Sequence, residues 1–210
     1  MERHPTYEEV HAKMCDQDWG YIDEVMRQFP IGVYTSTTSW FDTGTLLGVA
    51  VREQVVPAIR HLLKRGVSVN EDPGTKALPT IVLGLEGVTK DEGRAILDLL
   101  VSEGDFDPQA TFEHRTVVVD SAHSVKGTLL HWLASRCGIS PNPETLLPML
   151  EWLVEHEVPL RALNTRNQTA YAVLLEKISR AVDIDPYIFA RMEPITSLLN
   201  PTVMPKNANT

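Results

Sequence analysis

The sequence has few cysteines, no long apolar run and fewer basic than acidic residues. Two cysteines, Cys15 and Cys137, are too few for a disulfide framework, so both are predicted to be reduced, buried thiols. The 19 lysines and arginines stand against 28 aspartates and glutamates, which gives a net charge of -9. This balance disfavours nucleic-acid binding, because phosphate recognition needs clustered positive charge.

Signals for membranes and secretion are missing as well. No apolar run approaches the roughly 20 residues that span a bilayer, and residues 1–10 lack the apolar core of a secretory signal. We therefore expect a soluble protein of the cytoplasm or nucleus that binds neither membrane nor nucleic acid.

Motifs with a catalytic mechanism are also lacking. The chain has no glycine-rich phosphate loop, no H-E-x-x-H, no C-x-x-C and no G-x-S-x-G. The run 120–123, DSAH, holds the residue types of a hydrolytic triad, but triad members converge from separate segments. We interpret it as a polar turn, expect no catalytic residue, metal or cofactor, and favour a role other than catalysis.

The clearest pattern in the chain is residues 44–70, GTLLGVAVREQVVPAIRHLLKRGVSVN. Thr45 can cap a short apolar helix, since its hydroxyl can accept a hydrogen bond from the first turn. A turn at 52–54 leads to a second helix that ends at Gly66, where a left-handed terminal residue is favourable. The pattern predicts two helices followed by an extended piece.

This unit resembles one repeat of the ankyrin family, which begins T-P-L-H-x-A and continues with a leucine-paired helix and a glycine. Leu46 and Gly48 stand in place of the proline and histidine. Residues 127–134, GTLLHWLA, match better and contain the histidine as His131, whose expected role is to support neighbouring loops. Glu157 stands where the repeat has glycine, and residues 164–171 resemble the start of a further repeat.

The resemblance implies an all-α fold, an ankyrin-like α-solenoid of about four helix–turn–helix repeats with terminal caps and one long β-finger. A single domain over 1–199 would hold a cap or degenerate repeat at 5–43, repeats at 44–75, 76–126 and 127–168, and a terminal repeat at 169–199. The β-branched run 116–120 would form the finger, and 200–210 would be a flexible tail. Helices are predicted at 6–13, 18–27, 77–83, 171–180, 186–191 and 195–199, with two more beginning after Thr89 and Asn142.

The resemblance further implies an adaptor, a monomer that binds another protein on a concave face. Contacts are expected at finger tips and at the ends of the first helices. Carried onto this chain, these positions are Phe41, Asp42, Arg52, Glu53, Asp72, Ser124, Ser135, Arg136, Thr165, Arg166, Glu176 and Lys177.

An alternative hypothesis is a small-molecule-binding protein or enzyme. Insertions between the paired helices and a long connection at 105–126 are more than a minimal adaptor needs. A pocket between this finger and the first helices would be lined by Glu113, Arg115, His123 and His131.

Overall fold

The computed structural model describes residues 5–29, 34–35, 43–69, 90–118, 121–137, 146–181, 187–200 and 202. Within them the chain forms nine helices and four short or medium strands, so the prediction of a mainly helical protein is confirmed. The chain divides into two compact units, residues 1–107 and 108–210. Each unit is described by itself.

The first unit contains five of the helices and one small two-stranded sheet. Its elements are α1 (Tyr7–Cys15), α2 (Trp19–Gln28), β1 (Tyr34–Thr35), β2 (Thr43–Gly44), α3 (Leu46–Arg52), α4 (Val56–Lys64) and α5 (Lys90–Ser102).

Threonine caps begin the first helix of each of the two helix pairs in this unit. The Thr6 hydroxyl accepts from the Glu9 N–H at 3.2 Å, and the Glu9 carboxylate accepts from the Thr6 N–H at 2.9 Å. The Thr45 hydroxyl accepts from the Gly48 N–H at 3.0 Å, as the sequence predicts. These bonds satisfy backbone donors that a helix leaves unpaired in its first turn.

Each pair then reverses through a glutamine in the left-handed conformation. Gln17, between α1 and α2, has φ 55°, and Gln54, between α3 and α4, has φ 56°. Few side chains adopt this conformation without strain, so both turns are fixed by the packing of the helices they join.

The second helices of the two pairs lie against each other in the same direction. Trp19, the first residue of α2, stacks on His61 of α4 with ring centroids 4.6 Å apart. One turn later Asp23 accepts hydrogen bonds from His61, at 2.8 Å, and from Arg65. Because the contacts move towards the C-terminal end of α2 and α4 at the same time, the two helices run parallel.

The C-terminal ends of α4 and α5 are also side by side. Arg60 pairs with Glu103 at 3.2 Å, and the Asp105 carboxylate accepts from the Val69 N–H at 2.6 Å. Gly104 lies in this contact, where a Cβ would come within 2.6 Å of the Leu100 carbonyl oxygen. Position 104 therefore needs a glycine because a Cβ would not fit there. At Gly66, the predicted helix end, a glycine is favoured because φ is 79°.

The second unit is a β-hairpin followed by two helix pairs. Its elements are β3 (Thr111–Val118), β4 (Ser121–Thr128), α6 (Leu129–Cys137), α7 (Leu147–Glu155), α8 (Ala170–Ala181) and α9 (Ile188–Leu199). The core holds Trp132 and Trp152, which are 7% and 1% exposed.

The hairpin is longer than the valine-rich run predicts. β3 and β4 pair antiparallel from Thr111 with Thr128 to Val118 with Ser121. Residues 116–118 of the predicted run form the end of β3, and Val119 and Asp120 lie outside the described residues.

Some local predictions are wrong. Cys15 is exposed rather than buried. The chain end forms one continuous helix, α9, with Pro194 inside it, rather than the two short elements predicted at 186–191 and 195–199.

Other predictions fall outside the described residues. They are the helix at 77–83, the capping threonine Thr89, the helix start after Asn142 and most of the tail.

Candidate functional site

The loop before α8 is held in one conformation by a buried asparagine. Asn164 is 5% exposed, and its Oδ1 accepts from the Arg166 N–H at 2.8 Å and the Gln168 N–H at 3.0 Å. Asn167 takes the left-handed conformation with φ 57°. We call residues 164–168 the tip loop.

The tip loop is joined to the base of the hairpin. The Thr165 N–H donates to the Lys126 carbonyl at 3.0 Å, and the Lys126 N–H donates to the Thr165 hydroxyl at 3.1 Å. The hairpin and the tip loop therefore form neighbouring edges of one surface.

His131 joins the same two segments from inside. It is 1% exposed; its Nδ1 accepts from the Thr128 N–H at 3.1 Å, and its Nε2 lies 3.0 Å from the Gln168 carbonyl oxygen. Burial lowers the pKa of His131, although the carbonyls of Gln168 and Ala162 act in the opposite direction. A neutral imidazole with its proton on Nε2 satisfies both contacts. The His131 side chain therefore has a structural role.

The tip loop also contacts the exposed side of α8. The Gln168 amide donates to Glu176 at 2.8 Å, and Glu176 pairs with Arg180 at 2.6 Å. Lys177, next in the helix, is half-buried. Burial lowers the pKa of Lys177; Arg180 and Arg166 lower it further, against the opposing effect of Glu176.

Four of the predicted contact residues thus lie on one surface, because the tip loop and α8 are bonded together. They are Thr165, Arg166, Glu176 and Lys177. Arg136 has the same place in α6 as Lys177 has in α8, and its guanidinium lies 5.7 Å from the centre of the Trp132 ring. Ser135, by contrast, is 8% exposed and donates to the Trp132 carbonyl at 2.7 Å, so its burial argues against a contact role.

The predicted pair in the first unit has contacts within that unit. The Tyr7 hydroxyl donates to Glu53, and the Arg52 guanidinium lies 5.7 Å from the centre of the Tyr7 ring. Burial and then the Glu53 carboxylate raise the pKa of Tyr7. His11 lies 3.8 Å from the same carboxylate. Glu53 is therefore already engaged by α1.

Four predicted contacts have no described side chain. Phe41, Asp42 and Asp72 lie outside the described residues. Ser124 is described only by its backbone, which pairs with Arg115 in the hairpin.

The hairpin register does not support the alternative pocket. Paired residues share a face and successive residues alternate. Glu113 and Arg115 therefore occupy register positions of one face, while His123, which pairs with Thr116, belongs to the other. His131 is buried between the hairpin base and the tip loop.

Two residues of the surface were not predicted from the sequence. Arg180 and Gln168 complete the network around Glu176. Glu176 and Arg180 are four residues apart on one helix, and this spacing is a signal that could have indicated Arg180. Gln168 gives no such local signal.

Comparison of the chain with protein-family models, with curated proteins and with solved structures gives no match. In the part of the chain that the structure describes, no helix has the length and apolar character needed to cross a membrane. Within those same ranges, no group of three or more histidine, cysteine, aspartate or glutamate side chains is arranged to hold a metal ion.

Proposed function

We propose that the chain is a protein–protein interaction module with diverged, ankyrin-like helix-pair repeats. In this proposal a partner binds the surface formed by the tip loop, α8 and the end of α6, which we call the α6–α8 surface. The supporting observation is that residues 164–168 are fixed to the hairpin and to α8 by hydrogen bonds. A surface already fixed before binding loses less conformational entropy on association.

The positions of the capping residues support the repeat part of the proposal. Thr169 caps α8 as Thr45 caps α3, with its hydroxyl accepting from the Ala172 N–H at 3.2 Å. Glu157 follows α7 with φ 58°, as Gly66 follows α4 with φ 79°. His131 connects the start of one helix pair to the start of the next.

The test is affinity capture with identification by mass spectrometry. Wild-type protein is compared with Arg136→Glu/Arg166→Glu, and Arg161→Glu is the control for a charge reversal outside the surface, because Arg161 is exposed and precedes the tip loop. We expect the double variant to lose specific proteins that both other forms capture. An unchanged set of captured proteins, with the double variant folded by circular dichroism, contradicts the α6–α8 surface as the interface.

A further inference from the structure

The negative charge of the chain is not evenly distributed. Residues 108–210 contain 9 lysines and arginines and 10 aspartates and glutamates, so nearly all of the net charge of -9 lies in residues 1–107. The second unit is close to neutral, and its local charges decide what it attracts.

Besides Arg136 at the end of α6, three cations of this unit lie on the α6–α8 surface. Arg166 is on the tip loop, and Lys177 and Arg180 are on α8; we call these three residues the basic cluster. The positive charges of Arg180 and Arg166 both act on the Lys177 amino group, which places the three within one local field. Arg166 and Arg180 are exposed.

The cluster has more positive than negative charge. Glu176 is its carboxylate, and that carboxylate is already bonded to Gln168 and Arg180. Among the side chains that the structure describes, neither Arg166 nor Lys177 forms an ion pair. The Lys177 amino group is thus half-buried near two like charges, whose effect Glu176 opposes in part.

We propose that the basic cluster binds an acidic segment of a partner protein, with carboxylates on Arg166 and Lys177. This inference rests on the proposed function, because it assigns a chemistry to the α6–α8 surface. Arginine offers a carboxylate paired N–H donors and is enriched among residues that dominate binding energy. A carboxylate beside Lys177 would also relieve the repulsion from the neighbouring arginines.

The test measures binding of a fluorescein-labelled glutamate-rich peptide by fluorescence anisotropy, with the glutamine-substituted peptide as the control probe. We expect the glutamate peptide to bind and its affinity to fall as salt is raised, because salt screens exposed charges. Arg166→Glu should weaken binding about tenfold, the effect of losing one strong charged contact. Arg161→Glu should leave the affinity within about twofold, the small effect of an exposed charge outside the contact.

Lys177→Met separates a binding role from a structural one. Methionine keeps the apolar stem and removes the half-buried charge. We expect the melting temperature to stay equal or to rise, while the affinity for the glutamate peptide falls several-fold. A falling melting temperature with unchanged affinity would assign Lys177 to the fold and overturn its part in the proposal.

The outcomes distinguish this inference from the proposed function. If capture depends on Arg136 and Arg166 but the two peptides bind equally, the interface stands and its acidic chemistry is wrong. If a single-stranded oligonucleotide binds the wild type more tightly than the glutamate peptide, the partner class is wrong. If the glutamate peptide binds as expected while capture does not change, the cluster recognises acidic chains and the adaptor interface is misplaced.

Discussion

Replacing His131 with alanine tests whether the second unit depends on one buried imidazole. His131 contacts the Thr128 N–H, the Thr128 hydroxyl and the Gln168 carbonyl, at 3.1, 2.9 and 3.0 Å. These contacts join the hairpin end to the residue before the α8 cap. Alanine keeps the helical backbone of α6 but removes all three.

The expected cost follows from the groups left behind. The Thr128 N–H loses the imidazole as its partner, while the Gln168 carbonyl keeps the bond from the Asn164 N–H at 2.9 Å. An unsatisfied buried polar group costs about 1–3 kcal/mol. The cavity left by the ring adds to this cost. We expect a total of about 3–5 kcal/mol, a large part of the roughly 5–15 kcal/mol that stabilises a typical domain.

The pH dependence of this cost gives a sharper check. Burial lowers the pKa of His131 below its ordinary 6.5, so the unfolded chain binds a proton that the folded chain does not. The stability contributed by His131 is complete above pH 6.5 and is lost as the pH falls towards the lowered pKa, with a slope of at most about 1.4 kcal/mol per pH unit. The difference in unfolding free energy between wild type and His131→Ala should therefore shrink between pH 7.5 and pH 5.

The assay is urea denaturation followed by circular dichroism at several pH values. His156→Ala is the matched control, since His156 lies in the same unit and is only partly buried. Within the described residues its imidazole bonds inside its own helix, with Nδ1 2.9 Å from the Trp152 carbonyl oxygen. A loss of less than about 1 kcal/mol in His131→Ala, or a difference that grows towards pH 5, would refute the assignment of a neutral, bridging imidazole.

Three further substitutions test local backbone features, each by urea denaturation. Glu157→Gly should raise the unfolding free energy by about 1 kcal/mol, because a φ of 58° strains a residue with a Cβ; a loss of stability would mean that the glutamate side chain matters more than the strain. Gly104→Ala should cost about 1–3 kcal/mol, because the new methyl group would lie 2.6 Å from the Leu100 carbonyl oxygen; a neutral effect would show that α5 can shift freely. Thr45→Ala should cost about 1 kcal/mol through loss of the bond from Gly48, whereas Thr45→Ser should cost less; equal losses would exclude the hydroxyl as the cause.

Features encoded by a few neighbouring residues were predicted well from the sequence. The cap at Thr45 and the left-handed Gly66 depend only on the turn in which they lie. The finding at Glu157 extends this point, because the repeat pattern marked the position for glycine and the backbone there has φ 58° despite the side chain.

Features that depend on the phase of a helix were predicted less well. One residue of rotation, about 100°, separates a buried position from an exposed one. Ser135 was assigned to the contact set from its position in the repeat pattern, which does not fix the rotation of the helix, and it is 8% exposed.

Contacts between distant segments had no local signal. The bond from Gln168 to Glu176 follows from the path of the tip loop, and the bond from Tyr7 to Glu53 joins residues 46 positions apart. The same holds for the hairpin register, which assigns His123 to the opposite face from Arg115. A pattern of residue types can place these residues in elements but does not fix which elements meet.

Because contacts between distant segments cannot be predicted locally, equivalent positions of the proposed repeats differ in whether their side chains are free to bind another molecule. Glu53 follows the first helix of its pair and is bound by Tyr7 of α1. The corresponding position in the second unit, eight residues after the capping threonine as in the first, is Lys177, and the carboxylate before it, Glu176, is bound within its own helix and tip loop. Lys177 is half-buried, and no described carboxylate pairs with it. Its amino group is therefore available to the proposed partner. In the proposed interface, the contacts that neighbouring side chains make, rather than the position in the proposed repeat, decide which residues stay available for binding.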